Sequence, residues 1–115
     1  MAKADRLERL DRARIDLEAE YRAALITALE NTAAGSWGIF GHNDHLWTDG
    51  RTAATRDALD DLAAAIDALR ERLVMDPFAL HRDFRAARGP VGPSAPGERR
   101  QAQAWLARLR DATPG

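Results

Sequence analysis

From Lys3 to Ala33 the chain runs without a single proline or glycine, and this uninterrupted stretch narrows the possible folds more than any other feature. Apolar residues at Leu7, Leu10, Leu17, Tyr21, Ala24, Leu25 and Ala28 fall at the i, i+3, i+4, i+7 spacing of one helical face. A second strip, Ile15, Ala19, Ile26 and Leu29, widens that face toward the C-terminal half. A wider stripe predicts that this end is clasped by more than one neighbour. Arg14 falls in the seam between Leu10 and Leu17. At a rise of about 1.5 Å per residue such a helix is roughly 45 Å long, more than a compact chain of this size covers. Its first two turns are therefore expected to overhang or to pair with another subunit.

Gly35 is placed to end this helix, and the next helical pattern is expected over 52–75. It has Thr48, Asp49, Thr52 and Thr55 as possible N-caps and a heptad of Leu59, Leu62, Ile66, Leu69 and Leu73. Ala63, Ala64 and Ala65 allow a neighbouring helix to approach closely, while Asp57, Asp60, Asp61, Asp67 and Glu71 read as a solvated acidic face. A third, short helix is expected over 77–88, with Asp76 as N-cap, Pro77 at the first helical position, and Phe78, Leu80, Phe84 and Ala87 as its apolar side. The Gly/Pro-rich segment 89–97 cannot be helical. A fourth helix over 97–111 turns Ala102, Trp105, Leu106 and Leu109 inward. With no alternating strand pattern and no internal repeat, the chain reads as one all-α domain over 1–115. The expected architecture is a long antiparallel helical hairpin with two shorter helices packed across it.

Function is far less legible. The chain has no cysteine, which removes disulfides, thiolate metal sites and thiol nucleophiles. The charged N-terminal stretch lacks a leader's apolar core and no segment has the length of a membrane span, so the expected location is the cytoplasm, away from membranes. A net charge of −1 argues against general nucleic-acid binding. The balance is uneven, however, because Arg82, Arg85, Arg88, Arg99, Arg100, Arg108 and Arg110 face few acidic neighbours in sequence. Of these, Arg82, Arg85, Arg88, Arg99 and Arg100 are candidates for an anionic partner. Pairing with the acidic face of 57–71, within one chain or between two, fits the same residues, and an Ala-plus-Arg bias is also what a GC-rich genome produces.

The segment 34–50 is read as an ordered loop, and its run "GSWGIFGHNDHLW", 35–47, is the one passage that departs from the helical pattern. His42, Asp44 and His45, with Asp49 nearby and His81 as a distant third imidazole, are the residue types that ligate a divalent metal. They match no established spacing such as His-Glu-x-x-His, so no metal or other cofactor is expected. Gly35, Gly38 and Gly41 match neither a dinucleotide fingerprint nor a phosphate loop. Trp37, Ile39, Phe40, Leu46 and Trp47 fit a hydrophobic plug at the end of the hairpin, packed against Trp105. Alternatively, Trp37, Phe40, His42, Asn43, Asp44, His45 and Trp47 form a partner or ligand surface carried on a rigid scaffold. No arrangement of nucleophile and base points to catalysis.

The expected function is therefore a small, non-catalytic interaction or adaptor protein. It is expected to form a homodimer through its first two helices and to present loop 35–50 to a protein partner. A metal- or small-ligand-binding protein using His42, Asp44 and His45 between Trp37 and Trp47 is the alternative, and an Arg-mediated nucleic-acid binder the weaker one.

Overall fold

The computed structural model describes residues 2–34, 39, 40, 50–88 and 98–111. Among these residues there are four helices and no strand: α1 (Ala2–Ala33), α2 (Gly50–Arg72), α3 (Ala79–Ala87) and α4 (Glu98–Asp111). The all-α reading holds, and α1 is its spine. Both α2 and α4 pack along it, while α3 lies against α2. The antiparallel sense of α1 and α2 is fixed at two levels. Glu18 pairs with Arg70 at one end, and Ala24, Thr27 and Ala28 face Ala54, Thr55 and Ala58 at the other. No described helix is long and apolar enough to cross a membrane.

The core lies around the C-terminal half of α1. Tyr21, Leu25, Ala28, Leu29 and Thr32 are buried there, at spacings that keep them on one face. They meet Leu59, Ala63 and Ile66 of α2, Phe78 and Phe84 of the α3 segment, and Ala102, Leu106 and Leu109 of α4. Burying a side chain of Leu or Phe size contributes about 1.5–3 kcal/mol, so this cluster accounts for the clasped end anticipated from the widened stripe. Two details of that stripe differ. Leu29 joins the core, but Ile15 remains 48% exposed and Ala19 is exposed too, because the buried part of α1 begins only at Tyr21. On α2 the buried line runs Leu59, Ala63, Ile66, with Leu62, Leu69 and Leu73 half-buried at its edge. Ala63 is small enough to sit at the contact, so the face rotates toward it and away from the leucine heptad.

The chain's return from α1 is pinned by one hydroxyl. Thr32 donates Oγ1–H to the Ala28 carbonyl at 2.9 Å and accepts the Ile39 N–H at 3.1 Å. Ile39 and Phe40 are fully buried.

The end of α2 departs from expectation by stopping at Arg72, not at 75. Val74 takes φ 57°, its N–H bonds the Glu71 carbonyl at 3.1 Å, and the Met75 N–H bonds the Arg70 carbonyl at 2.8 Å. These are the two bonds of a Schellman cap, with valine where glycine is usual. A β-branched residue in the left-handed region costs about 1–2 kcal/mol. The Val74 side chain is 95% exposed and so contributes nothing by burial. Val74→Gly is accordingly expected to raise the unfolding free energy by about 1 kcal/mol, part of the relieved strain being offset by the greater freedom of glycine in the unfolded chain. Urea denaturation checks this; an unchanged midpoint would show that the valine is not strained.

Past this cap, residues 75–78 belong to no regular element and α3 starts at Ala79. Pro77 therefore precedes the helix instead of opening it. The reason is a bond the local pattern could not show: the Phe78 N–H donates to Asp67 Oδ1 of α2 at 2.8 Å, which holds Phe78 at φ −66°, ψ 103°. Phe78, not Asp76, stands at the N-cap, and its side chain caps no backbone N–H.

Candidate functional site

The most densely connected polar group of the described residues lies where α1, α2 and α3 meet. Tyr21, fully buried on α1, brings its hydroxyl to 2.7 Å from His81 Nδ1 on α3. The Tyr21 ring stands edge-on to His81 at 5.4 Å and to Phe78 at 5.1 Å. A hydroxyl that donates to Nδ1 requires that nitrogen to be unprotonated, which leaves the ring proton on Nε2. His81 Nε2 faces Asp60 Oδ1 of α2 at 3.2 Å, and the same oxygen lies 3.1 Å from Arg88 Nη2. Neither contact has hydrogen-bond alignment, so Asp60 acts on both neighbours as a charge. The Arg88 side chain is 9% exposed and its guanidinium sits 5.5 Å from the centre of the Phe84 ring.

Local sequence accounts for the placement. Phe78, His81 and Phe84 recur every third residue and so share the buried face of α3, with Arg88 just beyond its end. Burial pushes the His81 imidazole below its usual range, Asp60 and Asp67 opposing the shift, Arg88 and Arg85 adding to it. Burial likewise pushes the Tyr21 hydroxyl upward. A neutral His81 and an un-ionised Tyr21 are mutually consistent with the hydroxyl donating to the ring.

The sign of the pH effect follows from this. A histidine whose folded pKa lies below its unfolded one binds its proton more weakly in the folded state, so folding is favoured above about pH 6.5 and that advantage is lost as pH falls through the folded value. The unfolding free energy is expected to drop as pH falls below about 6.5, and His81→Gln to flatten that drop. Chemical denaturation at a series of pH values measures it; an equal drop in the variant would assign acid sensitivity to other groups.

Beside the cluster, α2 and α3 enclose an open groove. One part, about 460 Å³, is lined by Asp67, Pro77, Phe78, His81, Arg82 and Arg85, among others. An adjoining part of about 250 Å³ shares Asp67, His81 and Arg85 and reaches Asp60. Tyr21 is fully buried and so has no access to a bound molecule there. The polar relay is thus a clamp between α1, α2 and α3, with His81 and Asp60 as its members facing the groove. Among the described residues no set of His, Asp and Glu could hold a metal ion.

The sequence-predicted residues fall in three groups. Trp37, His42, Asn43, Asp44, His45 and Trp47 lie outside the described residues. Phe40 is fully buried, its ring 5.8 Å from Phe84 and 6.4 Å from Trp105, so it packs inward as a plug residue does and presents no surface to a partner. Of the arginines, Arg82, Arg85, Arg99 and Arg100 are exposed, whereas Arg88 is drawn inward onto Asp60. The acidic face of α2 does receive an arginine within one chain, at that pair, from the residue that follows α3. Arg108 pairs with Asp83 at 2.8 Å and lies over Trp105 at 4.9 Å, tying α4 to α3.

One further feature stands out at the opposite end from the buried half of α1. Between Ala4 and Glu20 no α1 side chain is fully buried, and among the described residues the exposed large apolar ones are Leu7, Ile15, Val74 and Met75. The Glu18–Arg70 pair sets the cap of α2, which carries Val74 and Met75, alongside the part of α1 that leads toward Ile15 and Leu7. The protein measures 55 × 30 × 22 Å, and α1, roughly 48 Å long, accounts for the long dimension. Comparison with protein-family models, with curated proteins and with solved structures found no match.

Proposed function

We propose that this chain is a non-catalytic helical interaction protein that self-associates through the protruding half of α1 and offers segment 35–50 to a protein partner. The exposed apolar end formed by Leu7, Ile15, Val74 and Met75 carries the reading. Scattered exposed leucines are ordinary on a small protein, but two large apolar side chains on a helix that outruns its own core, with two more at the cap of α2, are the kind of surface that interfaces cover. Against this, Tyr21, His81, Asp60 and Arg88, which have the residue types of a reactive site, are engaged with one another in holding α1, α2 and α3 together. Interaction, not turnover, is the work such a molecule is equipped for.

Within 35–50, Phe40 is fully buried and drops out of the proposed partner surface, which rests on the sequence reading of the other residues named for it. Light scattering on the purified chain at high micromolar concentration tests self-association. The expected result is the mass of two chains, falling toward one on dilution, and Leu7→Asp is expected to shift the equilibrium toward monomer. A strict monomer throughout that range would sink the reading.

A further inference from the structure

Resting on that self-association, we infer that the occupant of the protruding α1 face is the same segment of a second copy, laid antiparallel to it. The first support is continuity. Leu7, Leu10, Arg14, Leu17, Tyr21, Ala24 and Ala28 alternate by three and four residues along α1, so the line that faces α2 and α4 in the core continues unbroken onto the protruding half. In the core that line is covered. Toward the N-terminus the cover thins: Arg14 and Leu10 are half-buried, and Leu7 is 45% exposed. A second α1 lying there takes the place that α2 holds further along, with its Leu7 beside the exposed Val74 and Met75 at the α2 cap.

Charge selects the direction. Arg6 and Glu20 occupy equivalent flanking positions two heptads apart, with Ala13 midway between them. In an antiparallel pair like flanks face each other, so Arg6 of one copy meets Glu20 of the other, twice by symmetry, and Ala13 lies near the two-fold axis where a small side chain allows close approach. Arg9 and Asp16 repeat this complementarity just outside. All four charged residues are exposed or half-exposed, and none has an ion-pair partner among the described residues. Arg14 argues the same way. It is held in the seam by Asp11 at 2.8 Å and Glu18 at 3.1 Å. A parallel pair stacks Arg14 on Arg14, whereas the antiparallel register sets Leu7 against Leu17 and Leu10 against Arg14.

Because the chain has no cysteine, the orientation can be tested with single-cysteine variants under oxidising conditions. Leu7→Cys alone is expected to give little disulfide-linked dimer, while an equimolar mixture of Leu7→Cys and Leu17→Cys is expected to give the mixed disulfide. Abundant Leu7→Cys homodimer overturns the antiparallel inference, and so does a dimer by light scattering that forms neither disulfide; both leave self-association standing. A monomer by scattering overturns the two together. Since Leu17 borders the core, a second pair of variants avoids it. Arg6→Glu is expected to raise the dimer dissociation constant about three- to tenfold, and Arg6→Glu with Glu20→Arg in one chain to restore it. Failure of that restoration, with circular dichroism unchanged, counts against the inference.

Discussion

Phe84→Ala is expected to lower the unfolding free energy by about 3–5 kcal/mol, the cost of deleting a buried ring that its surroundings cannot collapse to fill. Phe84 is fully buried, and three groups rest on it: Phe40 at 5.8 Å, Trp105 edge-on at 5.8 Å and the Arg88 guanidinium at 5.5 Å. These come from the segment after α1, from α4 and from the end of α3, so the ring joins parts of the chain that have few other contacts in common. Its loss removes the apolar platform under a buried cation as well as the packing. For a domain of this size the total stability is about 5–15 kcal/mol, so the variant is expected to be partly unfolded at ambient temperature. Thermal and urea denaturation followed by circular dichroism give the value. A loss under about 1.5 kcal/mol would mean that Trp105 moves into the space, and the platform would then be dispensable.

The second large effect is expected at Asp60. Replacing it by asparagine keeps the shape but removes the charge that lies 3.1 Å from Arg88 Nη2 and 3.2 Å from His81 Nε2. Removing one partner of a buried pair commonly costs about 3–5 kcal/mol because the other is left uncompensated. Here Arg88 is deeply placed while the Asp60 side chain is 43% exposed, so solvent screens part of the interaction and about 2–3 kcal/mol is the expected loss. A second readout separates this from general damage. Asp60 is the neighbour that most opposes the downward shift of His81, so Asp60→Asn is expected to lower the His81 pKa further, seen as an NMR titration displaced to lower pH. Destabilisation without that displacement would place the effect of the mutation elsewhere than at the relay.

The fold was legible largely because its signals are local and repeated. The spacing of Tyr21, Leu25 and Ala28 gives the buried face of α1, and Ala102, Leu106 and Leu109 that of α4, before any neighbour is known. What the pattern could not show was set by contacts distant in sequence. Asp67 captures the Phe78 N–H and moves the start of α3, and Val74 serves as a left-handed cap with no glycine to signal it. The site shows the same division. Asp60 reads in isolation as one more acid on a solvated face, Tyr21 as an ordinary core aromatic, and His81 as a distant candidate ligand; only the meeting of three helices makes them one relay. One clue was present, since His81 sits three residues from both Phe78 and Phe84 and so had to share their buried face, where an imidazole needs partners.

Because α1 is the strut against which both α2 and α4 rest, the order in which contacts can form is constrained. The α1–α2 hairpin closes over a short stretch of chain, but the bond from the Arg22 guanidinium to the Leu109 carbonyl joins residues 87 apart. Closing so long a loop is entropically dear, yet that cost grows only with the logarithm of loop length. The search for α4 is thus the slow step of folding to expect from this topology, with the hairpin as the template on which it ends. A helix that serves as template within its own chain, and keeps an uncovered stretch of the same face, is equipped to repeat the act on another molecule: assembly continues folding by the same surface.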